Sequence, residues 1–132
     1  MKCPCGIGKD YNQCCESFIT KKSEPSTSEE LMRSRYTAYT QKNMDYIAET
    51  TDPQGFSPED MQANKEWADQ VNFTKLEILN THDEGNKGTV EFKAHFTTKD
   101  GAEHTHHEVS KFRKLSGTWY FRDGRVVQPK PK

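Results

Sequence analysis

The sequence lacks long apolar segments. Hydrophobic residues make up 31% of its 132 residues, and the mean hydropathy is −1.06. No run approaches the roughly 18 apolar residues of a membrane span, and no apolar segment of the kind found in secretory signals follows Met1. These absences predict a cytoplasmic protein with no membrane attachment. They also predict a small core that depends on the 7 Phe, 5 Tyr and 2 Trp residues.

An excess of either charge is also absent. The chain has 19 Lys and Arg residues against 20 Asp and Glu residues, which gives a formal net charge of −1 with neutral histidines. Proteins that bind nucleic acid without regard to sequence rely on a strong basic field, and this composition does not supply one. Nucleic acid is therefore not expected as a general partner, while contact with a ribosome through a local basic surface stays open.

Cysteine is absent after Cys15, and all four cysteines fall in the pattern C-x-C-x8-C-C at the start of the chain. In a cytoplasmic protein, clustered cysteines hold a metal more often than they form disulfides. Four thiolates complete a tetrahedron around Zn²⁺ and leave no position for water or substrate, so the site would be structural or partner-binding. Two disulfides, inert thiols, and a redox role or a different metal are the alternatives. The predicted zinc ligands are Cys3, Cys5, Cys14 and Cys15.

The chain after the cysteine-rich head reads as three helices followed by four strands. Thr27 and Glu30 fit a capping box, and Ser57 followed by Pro58 marks a second helix start. The period of the apolar residues then changes from that of a helix to that of a strand. The predicted helices run from Thr27 to about Lys42, from Asn43 over Tyr46 and Ile47, and from Ser57 to about Val71. The predicted strands are Phe73–Leu79, Val90–Phe96, Glu103–Lys114 and Thr118–Val127, the last interrupted near Asp123 and Gly124.

This order predicts an α+β fold in which the three N-terminal helices pack on a curved four-stranded antiparallel sheet and leave a cavity between them. A small zinc knuckle precedes it. The predicted boundaries are residues 1–20 for the knuckle, 21–27 for a polar linker and 28–128 for the helix-and-sheet domain.

Charged residues on predicted inner faces are candidates for a ligand site. Arg35 lies on the apolar stripe of the first helix, where an unpaired guanidinium would cost several kcal/mol, so it needs a carboxylate or a ligand anion. Glu108 shares a strand face with Phe112, which we expect to point inward, and it is the predicted partner of Arg35. The alternatives are a structural ion pair, a ligand pocket, or acid–base catalysis by Glu108 or His107. The candidate pocket residues are Arg35, Tyr39, Trp67, His107 and Glu108.

Three histidines in the segment Glu103–His107 form a second candidate metal site. His104 and His106 share a strand face, and His95 is expected on a neighbouring strand. The alternative is a solvated strand face, because alternating polar residues on an exposed strand readily produce such clusters.

The head, which reads CPCGIGKDYNQCC from Cys3 to Cys15, resembles the SEC-C motif, the zinc-binding tail of the SecA translocation ATPase. The resemblance keeps every metal position and departs at Ile7, where serine is common. In SecA this module recruits a chaperone and contacts ribosomes, so the resemblance implies a surface for protein interaction.

The rest of the chain resembles the YchJ family of bacterial proteins, whose main domain is similar to the nuclear transport factor 2-like (SnoaL-like) fold. The resemblance implies a cone-like domain that encloses a cavity and often forms homodimers. The matching segments are LMRSRYTAY at Leu31–Tyr39, GTVEF at Gly88–Phe92, the pattern His107-Glu108-x-Ser110-x-Phe112, Gly117-x-Trp119-Tyr120, and Asp123-Gly124.

The sequence therefore predicts a zinc-binding cytoplasmic protein without assigned catalysis. Its knuckle would recruit a protein partner, and its domain would bind a small molecule or a partner. The alternative is a small isomerase, dehydratase or hydrolase that works in the cavity of the domain.

Overall fold

Four α-helices precede a four-stranded antiparallel sheet within residues 2–55 and 57–127, the part of the chain that the computed structural model describes. The predicted α+β fold is confirmed, with one addition: a helix of 4 residues lies inside the cysteine-rich head. The predicted domain end at Gln128 and the tail after it lie outside the described residues. The elements are α1 (Glu16–Ile19), α2 (Ser28–Thr40), α3 (Met44–Glu49), α4 (Pro58–Asp69), β1 (Val71–Glu84), β2 (Lys87–Thr98), β3 (Glu103–Leu115) and β4 (Thr118–Val126), with 3-10 turns at Tyr11–Gln13 and Pro53–Gly55.

Side-chain caps begin the two longest helices where the sequence predicts them. The Thr27 hydroxyl accepts a hydrogen bond from the Glu30 N–H at 3.1 Å ahead of α2, and the Ser57 hydroxyl accepts one from the Asp60 N–H at 3.2 Å ahead of α4. The capping box of α2 differs in one respect. The Glu30 carboxylate reaches back to the N–H of Ser26, at 2.7 Å, and not to that of Thr27.

The strands form a meander in the order β1-β2-β3-β4. β1 is longer than the predicted strand Phe73–Leu79, because its pairing with β2 continues from Val71 as far as the turn after Glu84. The register of β1 shifts between Phe73 and Lys75 and again between Ile78 and Asn80. Such shifts bend and twist a strand, so they help the sheet curve towards the helices.

The main core lies between α2 and the inner face of the sheet. Four of its nine buried residues are aromatic, in keeping with the small, aromatic-rich core that the sequence predicts. None of the described helices is long and apolar enough to cross a membrane. The core residues are Leu31, Met32, Tyr36, Leu76, Val90, Phe92, Ala94, Phe112 and Trp119.

The cysteine-rich head packs against the body of the protein. Phe18 and Ile19 of α1 contact a separate apolar cluster that Ala38, Tyr46 and Ile47 form between α2 and α3. The head therefore buries apolar surface of the body.

The segment 21–27, which the sequence predicts as a linker, is held by side-chain hydrogen bonds to β4. The Thr118 hydroxyl donates to the Glu24 carboxylate at 2.8 Å, and the indole N–H of Trp119 donates to the Ser26 carbonyl at 3.1 Å. These bonds fix the path of the segment along the end of the sheet.

A buried carboxylate ties the loop after α3 to the sheet. Asp52 has no exposed surface, and its Oδ2 lies 2.8 Å from Nη2 of Arg113 and 3.7 Å from Nε of Arg122. Its backbone N–H donates to the Phe121 carbonyl at 2.8 Å. The loop is thereby held against β3 and β4, close to one wall of the cavity described below.

Candidate functional site

The four cysteine sulfurs converge on one point. Their Sγ atoms all lie within 4.8 Å of one another, with Cys5 and Cys14 3.5 Å apart and Cys14 and Cys15 3.8 Å apart. A tetrahedron of sulfurs with bonds of about 2.3 Å to Zn²⁺ has edges of about 3.8 Å. All four cysteines are free thiols. The donor set and its spacing therefore fit a tetrahedral, thiophilic cation.

The thiols influence one another's ionisation. A hydrogen bond from Cys15 lowers the pKa of Cys5 to about 5 against the effect of burial, and the backbone N–H of Ile7 adds to this. The same bond raises the pKa of Cys15, and burial raises that of Cys14 to about 12. A negative charge on one sulfur thus opposes ionisation of its neighbours. Four thiolates in this space would repel one another, and a bound cation would offset that repulsion.

Side chains of α2 support the cysteines from behind. The Thr37 hydroxyl donates to Sγ of Cys15 at 3.4 Å and lies 3.6 Å from Sγ of Cys3. Nη1 of Arg33 donates to the Cys5 carbonyl at 2.7 Å, while its Nε pairs with Glu29. Groups of this kind orient metal ligands and tune their charge. The candidate metal site is therefore built jointly by the head and α2.

The turn between the two cysteine pairs presents an apolar side chain to solvent. Gly6 and Gly8 adopt φ values of +82° and +96°, the left-handed region that the fold-back at these positions requires. Ile7 lies between them and is 44% exposed. A shallow groove of about 170 Å³ beside it is lined by Lys9 and Gln13, among others. The knuckle therefore has a solvent-exposed isoleucine that is surrounded by polar and basic side chains.

A second site is a cavity of about 510 Å³ between α2, α4 and the inner face of the sheet. Four of the residues that the sequence nominates for a pocket line this cavity, namely Arg35, Tyr39, Trp67 and Glu108. Five of the twelve remaining lining residues are phenylalanine or tyrosine. The other lining residues are Met32, Tyr36, Asn64, Phe73, Phe92, Ala94, Phe96, His104, Thr105, His106, Ser110 and Phe121.

Arg35 does not form the predicted ion pair with Glu108. Its Nη1 donates to the Ile47 carbonyl at 3.0 Å and to the hydroxyls of Thr50 at 2.7 Å and Thr51 at 3.3 Å. These neutral acceptors come from α3 and the loop after it, whose position relative to α2 the sequence pattern does not specify. The expected carboxylate partner is thus replaced by three neutral oxygens.

Glu108 is held by neighbours on its own strand. Its carboxylate accepts hydrogen bonds from His106 Nε2 at 2.8 Å and from the Ser110 hydroxyl. Burial opposes its ionisation, but these two bonds and the nearby cations hold its pKa below the ordinary value. The carboxylate also sits directly over Gly124 of β4, where a Cβ would collide with it. The absence of a side chain at Gly124 makes room for this arrangement.

His107 does not line the cavity. It lies on the opposite face of β3, where its Nε2 is 2.7 Å from the Glu91 carboxylate. Successive residues of a strand point to opposite faces, so His107 and Glu108 do not share a pocket. The inclusion of His107 among the pocket residues is therefore corrected, and His106 takes its place beside Glu108.

The histidines do not assemble a second metal site. His104 and His106 line the cavity, whereas His95 alternates with the cavity residues Ala94 and Phe96 along β2 and bonds instead to Glu77 and to the Thr105 hydroxyl. Among residues 2–55 and 57–127, only the four cysteines gather three or more metal-binding side chains.

The roles of several residues at both sites were not predicted from the sequence. Thr37 carries no signal of its own, because its role depends on where the head docks. The sequence placed Ser110 on the strand face of Glu108 and named His106 only as a candidate metal ligand, and it predicted neither as a hydrogen-bond partner of Glu108. Gly124 was noted as an interruption of β4 and as part of a matching segment, but its contact with the Glu108 carboxylate was not predicted.

Comparison with known proteins covers both parts of the chain. A family profile described as "YchJ, middle NTF2-like domain" matches residues 27–124. A UPF0225 protein of Geobacter sulfurreducens is 44% identical over 132 residues, which is 98% of this chain and 81% of the relative.

Two solved structures are similar over nearly the whole chain. A SEC-C motif containing protein from Rhodopseudomonas palustris has a TM-score of 0.88 at 43% identity, covering 97% of this chain and 100% of that one. A SEC-C motif containing protein from Psychrobacter arcticus has a TM-score of 0.77 at 29% identity, covering 98% of this chain and 84% of that one. The similarity therefore includes the head as well as the body.

Proposed function

Because the chain belongs to the YchJ family, with a middle NTF2-like domain and a SEC-C motif, we propose that it is a zinc-binding adaptor that recruits a protein partner through its knuckle. The observation that carries this proposal is the convergence of four cysteine sulfurs within 4.8 Å. The knuckle would keep a fixed shape only with its metal, and the cavity of the domain would hold a small ligand. Because the site needs reduced thiols, we place the protein in the cytoplasm.

Zinc binding is tested by the metal content of the purified protein. We expect one equivalent of Zn²⁺ in the wild type and none in a Cys14→Ser/Cys15→Ser variant, measured by inductively coupled plasma mass spectrometry. Stoichiometric zinc that survives in the variant would contradict a site built from these four thiolates.

The partner surface proposed here centres on Ile7. With four sulfurs the metal has no open position for a ligand, so the knuckle acts through the surface it presents. Ile7 is exposed, and Lys9 lines the groove beside it. Nζ of Lys2 donates to the Gly8 carbonyl at 3.1 Å while it lies 3.9 Å from the Asp10 carboxylate. An exposed apolar side chain with a basic rim fits a protein partner that carries an apolar residue flanked by acidic ones.

The exposed leucine of β1 provides a matched control for this surface. Leu79 is 45% exposed, against 44% for Ile7. Affinity capture from the native cytosol would compare wild type, Ile7→Ser, Leu79→Ser and the double cysteine variant. We expect Ile7→Ser and the cysteine variant to lose the same partner while Leu79→Ser retains it.

Identical partner lists for all four proteins would refute recruitment by the knuckle. Capture that disappears in raised salt and after nuclease treatment would instead indicate ribosome contact through the lysines. A second copy of the chain as the captured partner would indicate a homodimer, which size-exclusion chromatography would show directly.

A catalytic role for the cavity is the second candidate, and the His106–Glu108 pair favours it. A carboxylate that orients an imidazole at the wall of an aromatic cavity is an arrangement used in acid–base catalysis. Turnover of a carbonyl or epoxide substrate that His106→Gln abolishes would support an enzyme. Ligand binding that survives this substitution with no turnover would favour a binding domain.

A further inference from the structure

The cavity contains a positive charge that no carboxylate pairs with directly. Arg35 is 5% exposed, and no carboxylate of the described residues lies within ion-pair distance of its guanidinium. Nη1 bonds to three neutral oxygens, while Nε and Nη2 form no hydrogen bond with any described residue. Phe121 covers the guanidinium, with its ring centroid 4.6 Å from Cζ. A buried guanidinium with unused donors at a cavity wall is suited to an anion.

The other charged groups of the cavity do not remove this requirement. The Glu108 carboxylate is occupied by His106 and Ser110, and its charge acts on Arg35 only at a distance. His104 and His106 add no negative charge in either protonation state. Arg35 is thus the charged group of the cavity that has no counter-ion in direct contact with it.

The space beside Arg35 is shaped by aromatic rings. Trp67 makes edge-to-face contacts with Phe73 and Phe96, at centroid distances of 5.4 Å and 5.2 Å. Trp67 lines the cavity and is 38% exposed, so this large apolar side chain is only partly covered by the protein. A flat apolar guest would cover this surface and add ring contacts of the same kind.

We propose that the cavity binds a small aromatic monocarboxylate, with its carboxylate on Arg35 and its ring against Trp67, Phe73 and Phe96. This inference rests on the proposed function of the cavity as a ligand site. A monoanion is favoured over a phosphate dianion, because Glu108 lines the same cavity and repels each added negative charge. The volume of about 510 Å³ has room for a two-ring compound.

The two tryptophans allow a direct test by NMR spectroscopy. Trp67 lines the cavity, whereas Trp119 is buried in the core and its indole N–H bonds to Ser26. The indole N–H signals of ¹⁵N-labelled protein, assigned with a Trp67→Phe variant, would be followed during titration with 1-naphthoate and with its neutral analogue 1-naphthamide. We expect the Trp67 signal to move while that of Trp119 stays in place, with naphthoate about tenfold tighter than naphthamide.

Charge variants test the role of Arg35. Arg35→Gln should abolish the preference for naphthoate, and Arg35→Lys should retain part of it. Arg125→Gln, at an exposed position of β4, is the matched control and should behave as wild type. If Arg35→Gln fails to fold, Glu108→Gln provides an independent test, because loss of the repelling carboxylate should strengthen naphthoate binding several-fold without strengthening naphthamide binding.

The results of the titration distinguish the inference of an anionic ligand from the proposal that the cavity is a ligand site. Equal affinity for naphthoate and naphthamide at the Trp67 signal would overturn the assignment of an anionic ligand and leave the cavity as a ligand site. A Trp67 signal that responds to neither compound up to their solubility would overturn both.

Discussion

The Thr37 hydroxyl joins the metal site to α2, so its removal tests whether the head and body form one unit. Thr37→Val keeps the shape of the side chain and removes only the oxygen that donates to Cys15 at 3.4 Å and lies 3.6 Å from Cys3. The residue has no exposed surface, so water cannot replace the lost donor. The substitution therefore deprives the sulfurs of the proposed metal site of one hydrogen bond.

The size of the effect follows from the charge of the acceptor. A hydrogen bond to a charged group contributes about 1.5–3 kcal/mol, and the diffuse charge of sulfur places this one near the lower limit. A loss of about 1.5 kcal/mol corresponds to a roughly tenfold weaker affinity for Zn²⁺. Since the metal stabilises only the folded chain, the melting temperature of the zinc-loaded protein should fall by about 5 °C.

Competition with a chromophoric chelator measures the affinity, and thermal unfolding with and without EDTA measures the stability. Thr40→Val is the matched control, because its hydroxyl bonds to the Thr37 carbonyl on the same helix, at 2.6 Å, and to no sulfur. We expect Thr40→Val to leave the zinc affinity unchanged. Equal zinc affinities for the two variants would refute the link between α2 and the metal site.

Three further predictions concern the body of the protein. Asp52→Asn removes the buried charge that faces Arg113 at 2.8 Å, and it should lower the free energy of unfolding in urea by about 3 kcal/mol. The exposed control Asp69→Asn should change it by less than about 0.5 kcal/mol, and equal effects would contradict a buried ion pair. The lowered pKa of Glu108 means that its ionised form stabilises the fold above about pH 4.5, and this contribution is lost as the pH falls through the lower pKa of the folded state. The difference in melting temperature between wild type and Glu108→Gln should therefore be larger at pH 7 than at pH 3, and a constant difference would argue against it. Gly124→Ala places a Cβ against the Glu108 carboxylate, so it should break the hydrogen bonds of that carboxylate to His106 and Ser110. The free energy of unfolding in urea should fall by about 1–3 kcal/mol. A variant as stable as wild type would show that the carboxylate is free to move aside.

Signals that act within a few residues allowed part of this structure to be predicted. The caps at Thr27 and Ser57 act on N–H groups three positions along the chain, so the sequence alone indicates where α2 and α4 begin. The four cysteines likewise lie within one short segment, so the sequence alone indicates that they form one site. Alternation along β3 also predicted that Glu108 faces inward with Phe112.

Contacts between distant segments account for what was missed. The partners of Arg35 belong to α3 and the loop after it, and their distance from α2 depends on how two helices pack. The support that Thr37 gives to the cysteines depends likewise on the docking of the head. No periodic pattern encodes either arrangement. The prediction that His107 lines the pocket failed for another reason. Successive residues of a strand point to opposite faces, and this rule, which placed Glu108 correctly, was not applied to His107.

The packing of α1 on the body limits how far this knuckle can be transplanted. Excision after residue 20 would uncover the apolar cluster of α2 and α3 where Phe18 and Ile19 lie, and the remaining body would be prone to aggregate. The excised head would in turn lose the Thr37 hydroxyl from its sulfurs and the Arg33 bond to its backbone. Grafted onto another protein, these residues would form a weaker metal site than they form here, so the knuckle is portable only together with the helix beneath it.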